Sequence, residues 1–320
     1  MQKLMMAGLA ATMVSGVAIT AHAQDWPSEP VTIYVAYSPG GANSNVTRLL
    51  ADELTERMGQ SFVVEHRTGA SGRVAATHVA SQPADGTVFF MGAPGILVLN
   101  HLLYNDVPYS MEDFSPVSLI GILPYILLVN NDLPATSVEE LVAYAEAYPG
   151  ELNHGATGGG PNFVQELFAF EAGIEFENLL YQGTPPAIQD LMRGDIQFML
   201  DLIPGVTSQV DAGQVRALAV SSPNRSQAYP DLPTVVEAGV DGVDATNWFG
   251  IVAPAGTPEE IVQRMSAELA DIVNDPEVAQ ELLGMGVEPV GSTPEEFAEF
   301  IASEQERWAT VAAAAGIEPQ

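Results

Sequence analysis

Apolar runs of two kinds alternate along this chain, short continuous ones bounded by glycine and longer ones striped at helical spacing. Val31 to Tyr37 (VTIYVAY) is β-branched and aromatic and ends in Ser38-Pro39-Gly40-Gly41, the pattern of a buried strand entering a tight loop. From Asn45, the apolar positions Val46, Leu49, Leu50, Leu54 and Met58 fall on one helical face, Arg48, Asp52, Glu53 and Glu56 fall on the other, and Gly59 ends the segment. A strand from Ser61 to Glu65, a short helix through Val79 and a strand from Val88 to Met91 continue the alternation. Such a rhythm predicts a parallel sheet joined by helical crossovers.

The rhythm returns after Ser118. It predicts strands at Ile126 to Val129, Leu152 to Gly155, Glu177 to Tyr181, Ile196 to Leu200 and Arg216 to Ser221, alternating with helices at Val138 to Tyr148, Asn162 to Ala172, Pro186 to Arg193 and Pro204 to Ala212. Ser137-Val138-Glu139-Glu140 reads as a capping box. Beyond Thr257 the character changes: Thr257-Pro258-Glu259-Glu260, Asp275-Pro276-Glu277-Val278 and Thr293-Pro294-Glu295-Glu296 each combine a cap, a first-turn proline and acids, predicting three helices in a row.

The N-terminus follows another rule. Lys3, an apolar stretch from Leu4 to Ile19 and the small-x-small triplet Ala21-His22-Ala23 read as a secretory signal peptide cleaved after Ala23. Thr12 and Ser15 interrupt the stretch, which speaks against a membrane span, and no later segment resembles one. An exported chain without cysteine and without an anchor points to the bacterial periplasm. Length gives a prior of two domains.

Charge narrows the classes further. There are 41 acids against 10 bases over 320 residues, a formal charge of −31, and Lys3 is the only lysine. Neutralising phosphates needs clustered bases, so a nucleic-acid partner is excluded. The missing cysteines exclude disulfides, thiolate metal sites and a thiol nucleophile. His66, His78, His101 and His154 show no metal-binding spacing, Gly69-Ala70-Ser71-Gly72 lacks the spacing of a serine elbow, and no lysine remains for a phosphate loop. Neither catalytic residues, a metal nor a cofactor is expected.

Two glycine-rich loops stand out, each between a predicted strand and a predicted helix. They are Ser38-Pro39-Gly40-Gly41-Ala42-Asn43-Ser44-Asn45 and Gly155-Ala156-Thr157-Gly158-Gly159-Gly160-Pro161-Asn162. Glycine lets backbone approach a ligand, and free N–H groups at the following helix start bind an anion without a cationic side chain. Two such loops facing each other would hold both ends of a dicarboxylate. Either loop alone is also an ordinary α/β connection. Gly183-Thr184 and Asp201, at strand ends, either line a cleft or cap helices.

With these residues in place the chain resembles the Bug-type extracytoplasmic solute receptors, the substrate-binding subunits of tripartite tricarboxylate transporters. The resemblance runs from Trp26-Pro27 to Gly316-Ile317 through Ser38-Pro39-Gly40-Gly41, Tyr181-Gln182-Gly183-Thr184, Val215 to Val220, Asp231-Leu232-Pro233-Thr234 and Trp248-Phe249-Gly250. It implies a type II periplasmic-binding-protein fold of two α/β lobes around a central ligand cleft. Crossings near Leu123-Pro124 and Thr246-Asn247 would divide the chain into a discontinuous first lobe, 24–123 with 247–320, and a second lobe, 124–246. It also implies a small organic carboxylate as ligand, two integral membrane subunits as partners and a monomeric receptor.

Carried onto this sequence, the ligand-binding set is Tyr37, Ser38, Gly40, Gly41, Ala42, Asn43, Ser44, Asn45, Ala93, Thr157, Gly158, Gly159, Gly160, Asn162, Gly183, Thr184 and Asp201. Relatives often carry Asp at position 44 and His at 162, where this chain has Ser44 and Asn162. The missing carboxylate favours a non-amino organic acid. A sensor docking on a membrane signalling protein would need the same cleft, and an exported enzyme is the third reading.

Overall fold

The computed structural model describes residues 26–37, 39–157, 160–181, 183–314 and 319. The leader, its cleavage point after Ala23, and the candidates Ser38, Gly158 and Gly159 lie outside the described residues.

Strand β1 (Val31–Val35), helix α1 (Ala42–Met58), β2 (Phe62–His66), α2 (Arg73–Ala80) and β3 (Val88–Gly92) form the first αβ run, with β1 paired in parallel to both β2 and β3. A π-helical stretch, Gly95–Leu99, then passes directly into α3 (Asn100–Leu103). Next come the long strand β4 (Phe114–Val129), α4 (Val138–Ala147), β5 (Asn153–Ala156), α5 (Gly160–Ala172), β6 (Glu177–Leu180), α6 (Thr184–Arg193), β7 (Phe198–Leu202), α7 (Ile203–Asp211) and β8 (Arg216–Val220). The chain closes with β9 (Thr246–Pro254), α8 (Glu259–Val273), α9 (Pro276–Gly284), β10 (Glu288–Pro289) and α10 (Pro294–Ala314).

The sheet runs β2-β1-β3-β9-β4-β7-β5-β6, with β8 and β10 also paired to β4. Its flanks are parallel, as the alternating pattern predicts, but its centre is not: β9 is antiparallel to β3 and β4, and β4 is antiparallel to β7 and β8. These two central strands are where the pattern misleads. Pro116, Gly121 and Pro124 break the apolar run of β4, so only its last four residues read as strand. In the folded chain the residues from Phe114 to Pro124 pair with β9, and those from Tyr125 to Val129 pair with β7 and β8. Pro124, which has no N–H to give, sits where β4 changes partners, opposite Thr246.

Smaller departures have local causes. Helix α1 starts at Ala42 rather than Asn45, because Gly41 already supplies the extended N-cap backbone (φ −78, ψ 166) and the first turn buries polar Asn43 and Ser44 instead of an apolar stripe. Ser137 accepts from the Glu140 N–H as a cap should, yet the Glu140 carboxylate returns to Thr136, so the capping box is only half closed on Ser137. Thr257 does not cap α8: its hydroxyl donates to the Pro254 carbonyl and Pro258 is the N-cap residue. Asp275 and Thr293 do cap α9 and α10.

Three buried clusters hold these elements. Leu50, Leu54, Phe89, Ile251, Met265 and Leu269 join α1 and α8 to one face of the sheet. Ile126, Leu128, Ile188, Leu191, Ile196 and Val206 join α6 and α7 to the other end. The third cluster runs between them, from Phe90 and Leu97 through Tyr125 and Leu127 to Phe168, Trp248 and Phe297. Fully burying such side chains stabilises by roughly 1.5–3 kcal/mol each. Gly250 is needed here, since any Cβ would occupy the space of the Phe297 ring that brings α10 onto β9.

Candidate functional site

The first glycine loop leaves β1 at Val35 and delivers its backbone to the start of α1. Gly41 offers no side-chain cap, and the first turn carries no acid. His66 Nδ1 bonds to the Tyr37 carbonyl at 2.9 Å, and its Nε2 reaches Ser44 Oγ at 3.4 Å, so β2 braces the loop from behind. Asn45 steadies it from within through a 3.4 Å bond to the Gly40 carbonyl. Asn43 is different. It is buried, and neither its amide nitrogen nor its amide oxygen has a hydrogen-bond partner among the described residues. Buried amides are ordinarily satisfied, so this group is available to something the protein alone does not supply.

The second loop leaves β5 at Ala156 and ends in α5, whose first turn again carries no acid. Thr157 Oγ1 is also buried, and its side chain acts on the Asp201 carboxylate. In contrast, α4, α8, α9 and α10 all have glutamates in their first turns. Acids thus stand in the first turns of these four helices and are absent from those of α1 and α5, as also from those of α2, α6 and α7. The positive ends of α1 and α5 are left uncompensated.

Tyr37, which leads into the first loop, and Gly160, which ends the glycine run of the second, share one cavity of about 340 Å³. Tyr37 and Gly160 line it from the two sides, with Ala93, Pro94, Gly95 and Leu99 from the segment after β3, Tyr125 from β4 and Asn247 from β9. Tyr37 is 40% exposed, and its hydroxyl reaches inward toward Gly95. Burial pushes the Tyr37 phenol up to about 12, with Tyr109 adding to the shift. Burial also raises the Tyr125 phenol, reinforced by Asp201, Glu304 and Tyr37. Both hydroxyls thus stay protonated at neutral pH and serve as donors. A cavity with neutral phenols in its lining, beside the start of α5, suits an anionic oxygen.

Of the expected set, Tyr37, Ala93 and Gly160 line this cavity, and Gly40, Gly41, Ala42, Asn43, Ser44, Asn45, Thr157 and Asn162 belong to the two loop-to-helix turns around it. Gly183, Thr184 and Asp201 are not in its lining, though Asp201 acts on both Tyr125 and Thr157. Thr184 Oγ1 donates to Asp201 Oδ2 at 2.7 Å, and Asp201 Oδ1 accepts from the Leu202 N–H at 2.7 Å. Burial raises the Asp201 carboxyl above its ordinary range, while those two bonds and the Thr157 side chain oppose the rise. The bond from Thr184 to Asp201 braces β7 against α6.

Ser71, Pro94, Gly95, Leu99, Asn100, Leu103, Tyr104, Tyr125 and Asn247 also line the cavity and are not in the expected set. The segment from Gly95 to Leu103 is helical but too apolar to show a face, and Tyr125 is hidden in a run of core residues. The one signal for the first group was Ser71 in a glycine-bounded tetrapeptide. Among the described residues no group of three or more His, Asp or Glu is placed to hold a metal ion, and no helix is long and apolar enough to cross a membrane.

Comparison with known proteins supplies the remaining observations. Residues 46–317 match the family described as "Tripartite tricarboxylate transporter family receptor". A "UPF0065 protein in tcbD-tcbE intergenic region" of Pseudomonas sp. (strain P51) is 33% identical over 311 residues, covering 96% of this chain and 92% of the relative. Protein BugT of Bordetella pertussis is 32% identical over 301 residues, covering 93% of this chain and 92% of its own. Among solved structures, "R. palustris Rpa4515 with adipate" superposes with a TM-score of 0.81 at 38% identity, covering 92% of this chain and all of that one (100%).

Proposed function

Since the chain belongs to the tripartite tricarboxylate transporter receptor family, we propose that it captures a small organic carboxylate in the cavity between its two glycine loops and presents it to two integral membrane subunits for uptake. Receptors of this family are periplasmic binding proteins with a two-lobed α/β fold and are not enzymes. Export on the leader Met1 to Ala23, cleavage after Ala23 and action as a monomer complete the reading for this chain.

The observation that carries it is electrostatic. In a chain with 41 acids, the first turns of α1 and α5 hold none, and Tyr37 before the first loop and Gly160 at the end of the second line one cavity with protonated phenols. Surface acids beyond a Debye length of about 8 Å are largely screened at physiological salt, whereas helix-end N–H groups act at contact distance. An acidic protein can thereby bind an anion locally. The relative solved with adipate supports a carboxylate as the ligand.

We place the lobe boundaries where β4 changes partners. Leu123 and Pro124 pair with Asn247 and Thr246, so the two connecting segments lie side by side, with 24–123 and 247–320 as one lobe and 124–246 as the other. Closure on the ligand would favour the arrangement in which both loops contact it, giving the membrane subunits a loaded state to recognise.

The test is calorimetry on mature protein freed of carried-over ligand, with di-, tri- and aromatic carboxylates. Binding of at least one carboxylate, lost in Gly41→Leu, is the expected result. No binding by any of them sinks the receptor reading.

A further inference from the structure

Beyond the glycine loops, the cavity extends along a wall that neither loop supplies. Its sides are apolar: Pro94, Leu99 and Leu103. At this wall stand two hydroxyls, Ser71 Oγ and Tyr104 Oη, 3.0 Å apart. One of them donates to the other, which leaves one hydroxyl hydrogen free to donate elsewhere. Behind the tyrosine, the Arg73 guanidinium lies 4.0 Å from the ring centroid, held there by bonds to the Ala70 and Asp106 carbonyls. A cation on that face draws charge from the ring and strengthens the phenol as a donor. The chain has few cations, and this one backs the cavity wall.

The backbone at this wall is strained. Ala70 (φ 47) and Ser71 (φ 54, ψ 36) both occupy the left-handed region, which costs non-glycine residues of order 1–3 kcal/mol each. The turn is fixed from inside by Asn100, a buried residue whose Nδ2 donates to the Ser71 carbonyl at 3.1 Å and to Tyr109 Oη at 3.0 Å. Tyr109 in turn donates to the Ile96 carbonyl at 2.7 Å. A three-residue network thus holds a serine in an unfavourable conformation, with its hydroxyl at the cavity. Glycine would take this backbone without cost but would bring no hydroxyl.

We propose that Ser71 and Tyr104 form a distal subsite that binds the second carboxylate of an elongated dicarboxylate whose middle is apolar. The helix starts of α1 and α5 hold the first carboxylate, the apolar walls enclose the methylene or aromatic spacer, and the Arg73-backed hydroxyl pair receives the far end. A compact, hydroxyl-bearing tricarboxylate would leave its polar middle against Pro94, Leu99 and Leu103 and would bind less well. This assignment rests on the receptor reading above and names the class of ligand for the same cavity.

The experiment compares three probes by calorimetry on the ligand-free mature chain: adipate, hexanoate and citrate. Ser71→Gly and Tyr104→Phe are the variants, since the first relieves backbone strain and the second deletes one oxygen; both are expected to melt no lower than the parent. A hydrogen bond to a charged group is worth about 1.5–3 kcal/mol, so adipate should bind the parent at least about tenfold tighter than hexanoate or citrate. Because either hydroxyl alone can supply the one free hydrogen, each single variant should lose only about threefold for adipate, the double variant Ser71→Gly/Tyr104→Phe about tenfold, and hexanoate should change less than about twofold throughout. If citrate or hexanoate binds the parent as tightly as adipate, or if the variants weaken adipate and hexanoate equally, the distal subsite is wrong and the receptor reading stands. If none of the three binds and a wider carboxylate panel also fails, both fall together.

Discussion

The phenolic oxygen of Tyr125 rests so close to Gly160 that a Cβ on the glycine would overlap it. Tyr125 is the residue after Pro124 on β4, and Gly160 is the first residue of α5, so the contact joins the strand's change of partners to the second glycine loop. Gly160→Ala is therefore expected to push α5 away from the cavity and weaken carboxylate binding about tenfold or more. Adding Tyr125→Phe removes the offending oxygen and should recover part of the loss. A double-mutant cycle by calorimetry checks this; additive effects would show that the contact does not set the loop position.

Asn43 offers a separation of stability from binding. Its buried amide lacks partners in the ligand-free chain, and leaving such a group unsatisfied costs about 1–3 kcal/mol. Asn43→Ala should thus leave the unliganded protein as stable as the parent or more so in urea, while carboxylate affinity falls about tenfold. A variant that loses stability and keeps affinity would show the amide to be structural.

Glu304 is the buried junction behind the cavity. Its Oε2 accepts from Trp248 Nε1 at 3.2 Å and Trp308 Nε1 at 3.1 Å, its Oε1 accepts from Arg307 at 3.0 Å, and Arg307 also bonds Asp244 just ahead of β9. Glu304→Ala leaves two indole N–H groups and a guanidinium without their acceptor and is expected to cost about 2–4 kcal/mol. Urea unfolding at neutral pH measures it, and a loss under about 1 kcal/mol would contradict the assignment.

His154 gives stability a pH dependence. It is buried between Asn178, which bonds its Nδ1 at 3.2 Å, and the Leu200 N–H, which donates to its Nε2 at 3.4 Å. Burial lowers the imidazole from its ordinary 6.5 to about 3, against a weaker opposing bond from Asn178. The folded state therefore binds fewer protons than the unfolded chain between these values. The stabilisation is complete above pH 6.5 and fades as pH falls toward 3, at about 1.4 kcal/mol per unit. Between pH 7 and pH 5 the parent should lose roughly 2 kcal/mol more than His154→Gln, in which this titration is missing. Equal slopes for the two proteins would refute the buried neutral histidine.

What the chain's pattern discloses depends on how local the determinant is. Flanking strands and helices such as β1 and α1, or β5 and α5, carry their periodicity and glycine stops within a few residues, and the two glycine loops between them are visible for the same reason. The strands β4 and β9 are not, because Pro116, Gly121 and Pro124 read as breaks until partners on two sides are known. The cavity's far wall was hidden for a related reason. Ser71 stands in the turn before α2, whereas Asn100 and Tyr104 stand at the two ends of α3, and the turn fixed by Asn100 brings the Ser71 and Tyr104 hydroxyls to one surface.

The pairing of β4 with β9 has a mechanical meaning. Nine residue pairs, from Phe114 with Pro254 to Pro124 with Thr246, lock the two strands into one ribbon, interrupted by register shifts only near Val117 and Ile120. Sliding one strand along the other would break the whole ladder at once, whereas twisting it strains each bond slightly. The ladder lies on one side of the partner change up to Leu123 and Asn247, so both strands reach Pro124 and Thr246 as one stiff unit. A rotation of residues 124–246 against the rest would therefore bend at Pro124 and Thr246, the last pair of the ladder, and leave the other eight pairs undisturbed.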